Sequence, residues 1–122
     1  MAQTIYEKYG GFKSVSRVVM TFYEMALESD QIGDFFADVD MPRIIDHQTK
    51  FISSLLGGPA SFSDDRLEIV HRNLDIGHED FDEMGSLFSQ ALEQHGFDDG
   101  DIKLALDAIE AKRGLIVVRD AA

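Results

Sequence analysis

The sequence predicts an all-α domain of about six helices, two of them short, and three observations predict it. Apolar residues recur at helical spacing from end to end. Strict alternation over strand length is largely missing, and the one β-like run, Leu115-Ile-Val-Val118, is too short and isolated to change the class. Capping residues and glycine or proline stops punctuate the chain at helix-length intervals. The 122 residues suffice for one domain with a single core, taken as residues 1–122.

Thr4-Ile-Tyr-Glu7 fits a capping box, so a short helix starts near Thr4 and stops at Gly10-Gly11. From Phe12 to Glu28 one face carries Val15, Val18, Val19, Phe22, Tyr23 and Ala26. A polar break follows, then Phe35-Phe36 in a single turn. Asp40 caps the next helix, Pro42 fits its first turn, and the helix runs to Leu56 before Gly57-Gly58-Pro59. Pro59 to Ser63 reads as a loop, and a helix near Asp64 to Asn73 aligns Leu67, Val70, His71 and Leu74. Another covers roughly Glu79 to His95, with Phe81, Met84, Leu87, Phe88, Ala91 and Leu92 inward. The last begins near Asp98 and runs to about Val118, with Asp101 adding favourable charge to its first turn.

Composition removes whole classes of function. Eleven basic residues against 23 acidic ones leave a net charge of −12, which opposes binding to nucleic acid and to anionic membranes. There is no cysteine, so disulfides, thiolate zinc sites, iron–sulfur clusters and cysteine nucleophiles are excluded. Any metal chemistry must use histidine, tyrosine or carboxylates. The first residues lack the apolar core of a signal peptide, and nothing approaches the ~18 apolar residues of a membrane span. The expectation is a soluble, cytoplasmic monomer.

The informative positions are polar residues where periodicity predicts core. Tyr23 lies with Val19, Phe22 and Ala26; His47 and Gln48 lie with Ile44, Phe51, Ile52 and Leu55; His71 lies with Leu67, Val70 and Leu74. Each alone has a bland explanation: a satisfied core histidine, a tyrosine whose hydroxyl reaches the surface, an amide at the edge of a stripe. Occurring together in so small a domain, they suggest groups that meet around something. Two metal sites fit the spacing. A di-iron bundle would use Glu68-Ile-Val-His71, but no second Glu-x-x-His is present and Glu68 falls off the apolar face. A haem site needs one imidazole, a lining of hydrogen-bond donors and packed aromatics, and Phe35, Phe36, Phe51, Phe62, Phe81 and Phe88 supply the last. Asp98-Asp-Gly-Asp101 lacks the spacing of a Ca²⁺ loop. His78 and His95 flank a helix in polar surroundings and read as surface residues.

In order and spacing, Tyr6-Glu-Lys-Tyr-Gly-Gly11, Phe22-Tyr23-Glu24, Phe35-Phe-Ala-Asp-Val-Asp-Met41, His47-Gln48, Leu56-Gly-Gly-Pro59, His71-x-x-Leu-x-Ile76 and His78-x-x-Phe81-Asp82 resemble the group I truncated haemoglobins over about residues 4 to 110. The resemblance implies a two-over-two helical sandwich that holds haem b. It aligns His71 with the proximal iron ligand and Phe36 with the aromatic stacked on the porphyrin. Tyr23 aligns with the distal tyrosine that donates to O₂, and Gln48 with the glutamine that supports it. Ile44 falls on the distal face, Arg43 near a propionate contact, and Phe51, Ile76 and Phe81 in the wall of the haem pocket. His47 corresponds to the sixth iron ligand of cyanobacterial-type members. Three positions depart from the pattern. Ala111 stands where some members tether haem through histidine, so the haem is expected to be non-covalent. Phe62 keeps an aromatic, but Ser63-Asp64 replace the glycine that follows it. Ile52 replaces a tunnel-gating phenylalanine.

The function implied is binding of O₂, NO or CO, with NO dioxygenation to nitrate or related detoxification of NO and reactive oxygen, including pseudo-peroxidase activity. An external reductase would restore ferrous iron. The competing reading is a non-enzymatic gas carrier or sensor module whose output lies elsewhere, and a third is a haem-free helical interaction protein.

Overall fold

The computed structural model describes residues 3–58 and 76–117. The loop expected from Pro59 to Ser63 and the helix expected near Asp64 to Asn73 lie outside the described residues, and with them Phe62, Glu68 and His71. Among the described residues every regular element is a helix or a 3₁₀ turn.

Helix α1 (Ile5–Lys8) opens with the predicted capping box. The Glu7 amide donates to Thr4 Oγ1 at 3.1 Å, and the Thr4 amide donates to Glu7 Oε1 at 3.3 Å. Helix α2 (Phe12–Glu28) buries Val15, Val18, Val19, Phe22, Tyr23 and Ala26, the stripe its periodicity predicts. A 3₁₀ turn, Gly33–Phe36, carries the phenylalanine pair. In α3 (Met41–Leu55), Asp40 accepts from the Arg43 amide at 3.3 Å and Pro42 occupies the first turn. Helix α4 (His78–Gln94) begins where Asp80 Oδ2 accepts from the Gly77 amide at 3.0 Å. Helix α5 (Asp99–Glu110) is capped by Asp98, which accepts from the Asp101 amide at 2.9 Å.

The single helix expected from Asp98 to about Val118 is broken. It ends at Glu110, bends at Lys112 (φ −98°, ψ 0°) and resumes as α6 (Arg113–Ile116), which takes up half of the β-like run. Gly114 and the β-branched Ile116 and Val117 weaken helix propensity there. Tertiary contact decides the matter. A straight helix would carry Ile116 about 10 Å beyond Ile109 along the axis, whereas the bend brings both into one cavity wall.

Helix α2 packs against α3 and α4, α4 packs against α5, and α3 touches α5. The result is one helix pair laid over another. Most of the core, including Phe22, Phe51, Phe88 and Leu92, forms one cluster between the pairs. Ile76, Phe81 and Ile116 form a smaller one beside it. Such burial stabilises by roughly 1.5–3 kcal/mol for each large side chain. The two histidines read as surface residues are half-buried and partnered. His95 Nε2 lies 2.8 Å from Thr21 Oγ1, and His78 Nδ1 lies 3.2 Å from Arg113 Nη1. Their partners stand far away in sequence, so local polarity gave no sign of them.

Candidate functional site

Between the two helix pairs lies a cavity of about 130 Å³. Helix α2 contributes Val19, Phe22 and Tyr23, the 3₁₀ turn Phe35 and Phe36, and α3 Ile44, Gln48, Phe51 and Ile52. The opposite side is Ile76, then Phe81, Met84, Gly85 and Phe88 of α4, Ile109 of α5 and Ile116 of α6. A cavity with so apolar a lining favours apolar guests. Among the described lining residues only Tyr23 and Gln48 bring polar side-chain groups, and both stand on the α2–α3 side.

The Tyr23 ring is held on two sides. Phe22 meets it edge-on at 4.9 Å and Phe36 meets it edge-on at 5.2 Å. The residue is 4% exposed, and burial pushes its phenol above the ordinary tyrosine range. Its hydroxyl is therefore a neutral donor at any physiological pH. Among the described residues it makes no hydrogen bond, so the Tyr23–Gln48 bond that could order the pair is not formed. A hydroxyl on the cavity wall with no partner among the described residues is able to donate to an acceptor held there.

Gly85 sharpens the shape of the cavity. It sits inside α4, where glycine is about 1 kcal/mol less favourable than alanine. A Cβ built there meets nothing within 4 Å. The missing side chain leaves open space on the α4 part of the lining.

The fold brings together most of the residues singled out in the sequence. Tyr23, Phe36, Ile44, Gln48, Phe51, Ile76 and Phe81 all line the cavity. Arg43 and His47 do not: Arg43 is exposed on the first turn of α3, and His47 is half-buried on its flank. His71 lies outside the described residues. Val19, Phe22, Phe35, Ile52, Met84, Phe88, Ile109 and Ile116 were legible as apolar or aromatic, but a cavity-lining residue and a packed one share the same periodicity. Among the described residues no group of three or more histidines and carboxylates could hold a metal ion; Glu68 and His71, the residues of the di-iron reading, lie outside them.

The model of the bacterial-like globin family matches residues 4–117. The chain is 32% identical to a group 1 truncated hemoglobin of Tetrahymena pyriformis over 111 residues, spanning 91% of this chain and 92% of that one. It is 35% identical to a group 1 truncated hemoglobin of Synechocystis sp. over 97 residues, spanning 76% and 78%. The crystal structure of the Tetrahymena pyriformis protein in its Fe(III) form superposes with a TM-score of 0.88 at 30% identity, covering 96% of this chain and all of that one. The 2/2 hemoglobin of Synechococcus sp., at 23% identity and a TM-score of 0.87, shares the fold. A two-over-two helical sandwich around an apolar cavity, matched by a family model along nearly its whole length, places this chain in the bacterial-like globin family as a truncated haemoglobin, and so among the haem proteins that bind diatomic gases.

Proposed function

We propose that the protein holds haem b in this cavity without a covalent link and oxidises NO with O₂. The overall change is NO + O₂ + e⁻ → NO₃⁻, with the electron supplied by an external reductase. The observation that carries the reading is the Tyr23 hydroxyl, without a partner among the described residues, on the wall of a mostly apolar cavity that Gln48 also lines. When bound, haem supplies the iron that takes the diatomic ligand and exchanges the electron. The chain supplies the surroundings.

His71 is assigned as the iron ligand from its place in the family pattern. Phe36, Phe51, Ile76 and Phe81 would pack against the haem, Ile44 would stand near its ligand, and the exposed Arg43 would pair with a propionate. With haem bound, Tyr23 would offer its hydroxyl as a hydrogen-bond donor to a diatomic guest in a mostly apolar site. Gln48 adds a second donor or turns Tyr23 towards the ligand. The electron and both gases come from outside, so the cavity needs a path to solvent but no second cofactor site. His47, half-buried on α3 next to Gln48, would be the sixth ligand in a bis-histidyl resting state.

The deciding experiment mixes the ferrous, O₂-loaded protein with NO. Nitrate equal to the protein, with conversion to the ferric state, is the expected result. Persistence of the O₂ form without nitrate would leave a gas-binding module and defeat the dioxygenase. His71→Leu is expected to lose the Soret band, and a wild-type-like spectrum in that variant would overturn the ligand assignment. Sharp low-spin ferric bands abolished by His47→Ala would show a bis-histidyl resting state, and high-spin bands in the wild type a free sixth position.

A further inference from the structure

Helix α2 turns its inner face, with Phe22 and Tyr23, to the core and the cavity, and its outer face to solvent. Counted at about 100° per residue, Leu27, Met20, Lys13, Glu24, Arg17 and Glu28 fall in that order across an arc of about 100° on the outer face. All six are exposed. The apolar residues take one side of this stripe and the charges the other. Met20 and Leu27 are 47% and 46% exposed, and Phe12, 43% exposed, flanks the apolar side.

The charges are placed against the helix that carries them. Helices α1, α4 and α5 have acids in their first turn, as the helix dipole favours. Helix α2 has no acid in its first turn and no base in its last, but Lys13 near its start and Glu28 at its end. Elsewhere opposite charges stand four residues apart and pair, Lys50 with Asp46 and Lys103 with Asp107. On α2 the charges four apart are alike, Lys13 with Arg17 and Glu24 with Glu28, which destabilises a helix by itself. Among the described residues none of these four has an ion-pair partner. The pattern is a cost to the single chain, yet it is self-complementary: basic at one end, acidic at the other, Met20 between.

We propose that the outer face of α2 is a two-fold interface that takes the same face of a second copy of this chain, the two helices antiparallel. About an axis level with Met20 and Thr21, Lys13 meets Glu28 of the second copy and Arg17 meets Glu24 of the second copy, and symmetry repeats both pairs. One axis serves both because the two pairs share a midpoint in the sequence. The same rotation keeps each side of the stripe to itself, so Met20 packs on Met20 of the second copy and Leu27 comes near Phe12 across the contact. A parallel pairing would set base against base and acid against acid. The 17 residues of α2 span about 25 Å, and a strip of that length one helix wide buries roughly 1,000 Å² over both copies, at the low end for a specific complex. Association is therefore weak, and the monomer expected from the sequence is the dilute form. The net charge of −12 on each copy opposes approach, but salt at physiological strength screens it beyond about 8 Å, while the four residues pair at contact. Tyr23 stands on the other face of α2, so the second copy braces the helix that supplies the cavity's hydroxyl without touching the cavity.

The test is sedimentation velocity of the purified protein at physiological salt, from about 10 µM to about 1 mM. The wild type is expected to pass from monomer to dimer across that range. Lys13→Glu with Arg17→Glu makes the stripe all acidic, and Glu24→Lys with Glu28→Lys makes it all basic. Each double variant alone should weaken the dimer about tenfold or more. Mixed in equal amounts, the two should associate with each other more tightly than the wild type does with itself. The chain has no cysteine, so Met20→Cys sets a lone thiol beside the axis, and mild oxidation should link two copies through it. Leu104→Cys, exposed on α5, should link far more slowly. A wild type that stays monomeric throughout would overturn the interface, a measurement that needs no variant to fold. So would a dimer indifferent to both charge reversals, or oxidation that links copies through position 104 as readily as through position 20.

Discussion

Two buried hydroxyls have opposite meanings. Thr49 is 1% exposed and returns its hydroxyl to the Ile45 carbonyl at 2.7 Å, while Ser53, one turn on and 2% exposed, leaves Oγ without a partner. Ser53 is away from the cavity, so its unmet bond has no ligand to wait for. Ser53→Ala should raise the unfolding free energy by about 1 kcal/mol, measured by urea denaturation; a loss of similar size would mean an ordered water bridges Oγ. The unmet bond at Tyr23 faces the cavity. Its raised phenol pKa carries a definite sign, since the unfolded chain ionises near the ordinary 10.0 while the folded chain does not. Tyr23 thus contributes stability that is fully present below that pH and is lost as pH rises through it towards the folded value. Tyr23→Phe should flatten the alkaline fall in stability, and an unchanged slope would show that the ring reaches water.

At the level of elements, close approach decides more than propensity does. The end of α3 touches α1, where the Tyr6 amide donates to the Leu56 carbonyl at 3.0 Å. Gly57 has φ +94°, and a Cβ there would meet Thr4 Cβ at 2.7 Å. Gly57→Ala combines backbone strain with a collision against the α1 cap, and a loss of more than about 1 kcal/mol is expected in thermal denaturation. Gly85 behaves in the opposite way. Gly85→Leu improves α4 as a helix and fills the cavity, so the haem-free protein should become more stable while haemin uptake falls. Haemin titration beside denaturation of the haem-free form tests both, and undiminished uptake would place the macrocycle elsewhere.

For the whole molecule, the net charge of −12 governs encounter rather than fold. Reduction of the ferric protein by a small cationic reductant should slow as salt is added, and reduction by an anionic one should quicken. Equal salt responses would mean that the charge avoids the electron-entry face. Among the described residues no helix is long and apolar enough to cross a membrane.

The helices, their caps and their buried stripes were readable in the chain because each depends on neighbours three or four residues apart. The α2 face appears in the structure residue for residue, and Thr4, Asp40 and Asp98 cap where their spacing places them. The family could be read for a related reason: Phe22-Tyr23, Phe35-Phe36 and His47-Gln48 keep their order and separation along the chain. Tertiary structure alone decided the bend at Lys112, the partners of His78 and His95, and which apolar residues line space rather than fill it. It also decided that Gln48 faces the cavity while His47, one residue earlier, stands on the flank of the same helix. Periodicity fixes which way a residue points around a helix axis. Whether packed atoms, an arginine or open space stands opposite depends on chain that returns from 30 or more residues away, and no local pattern records it.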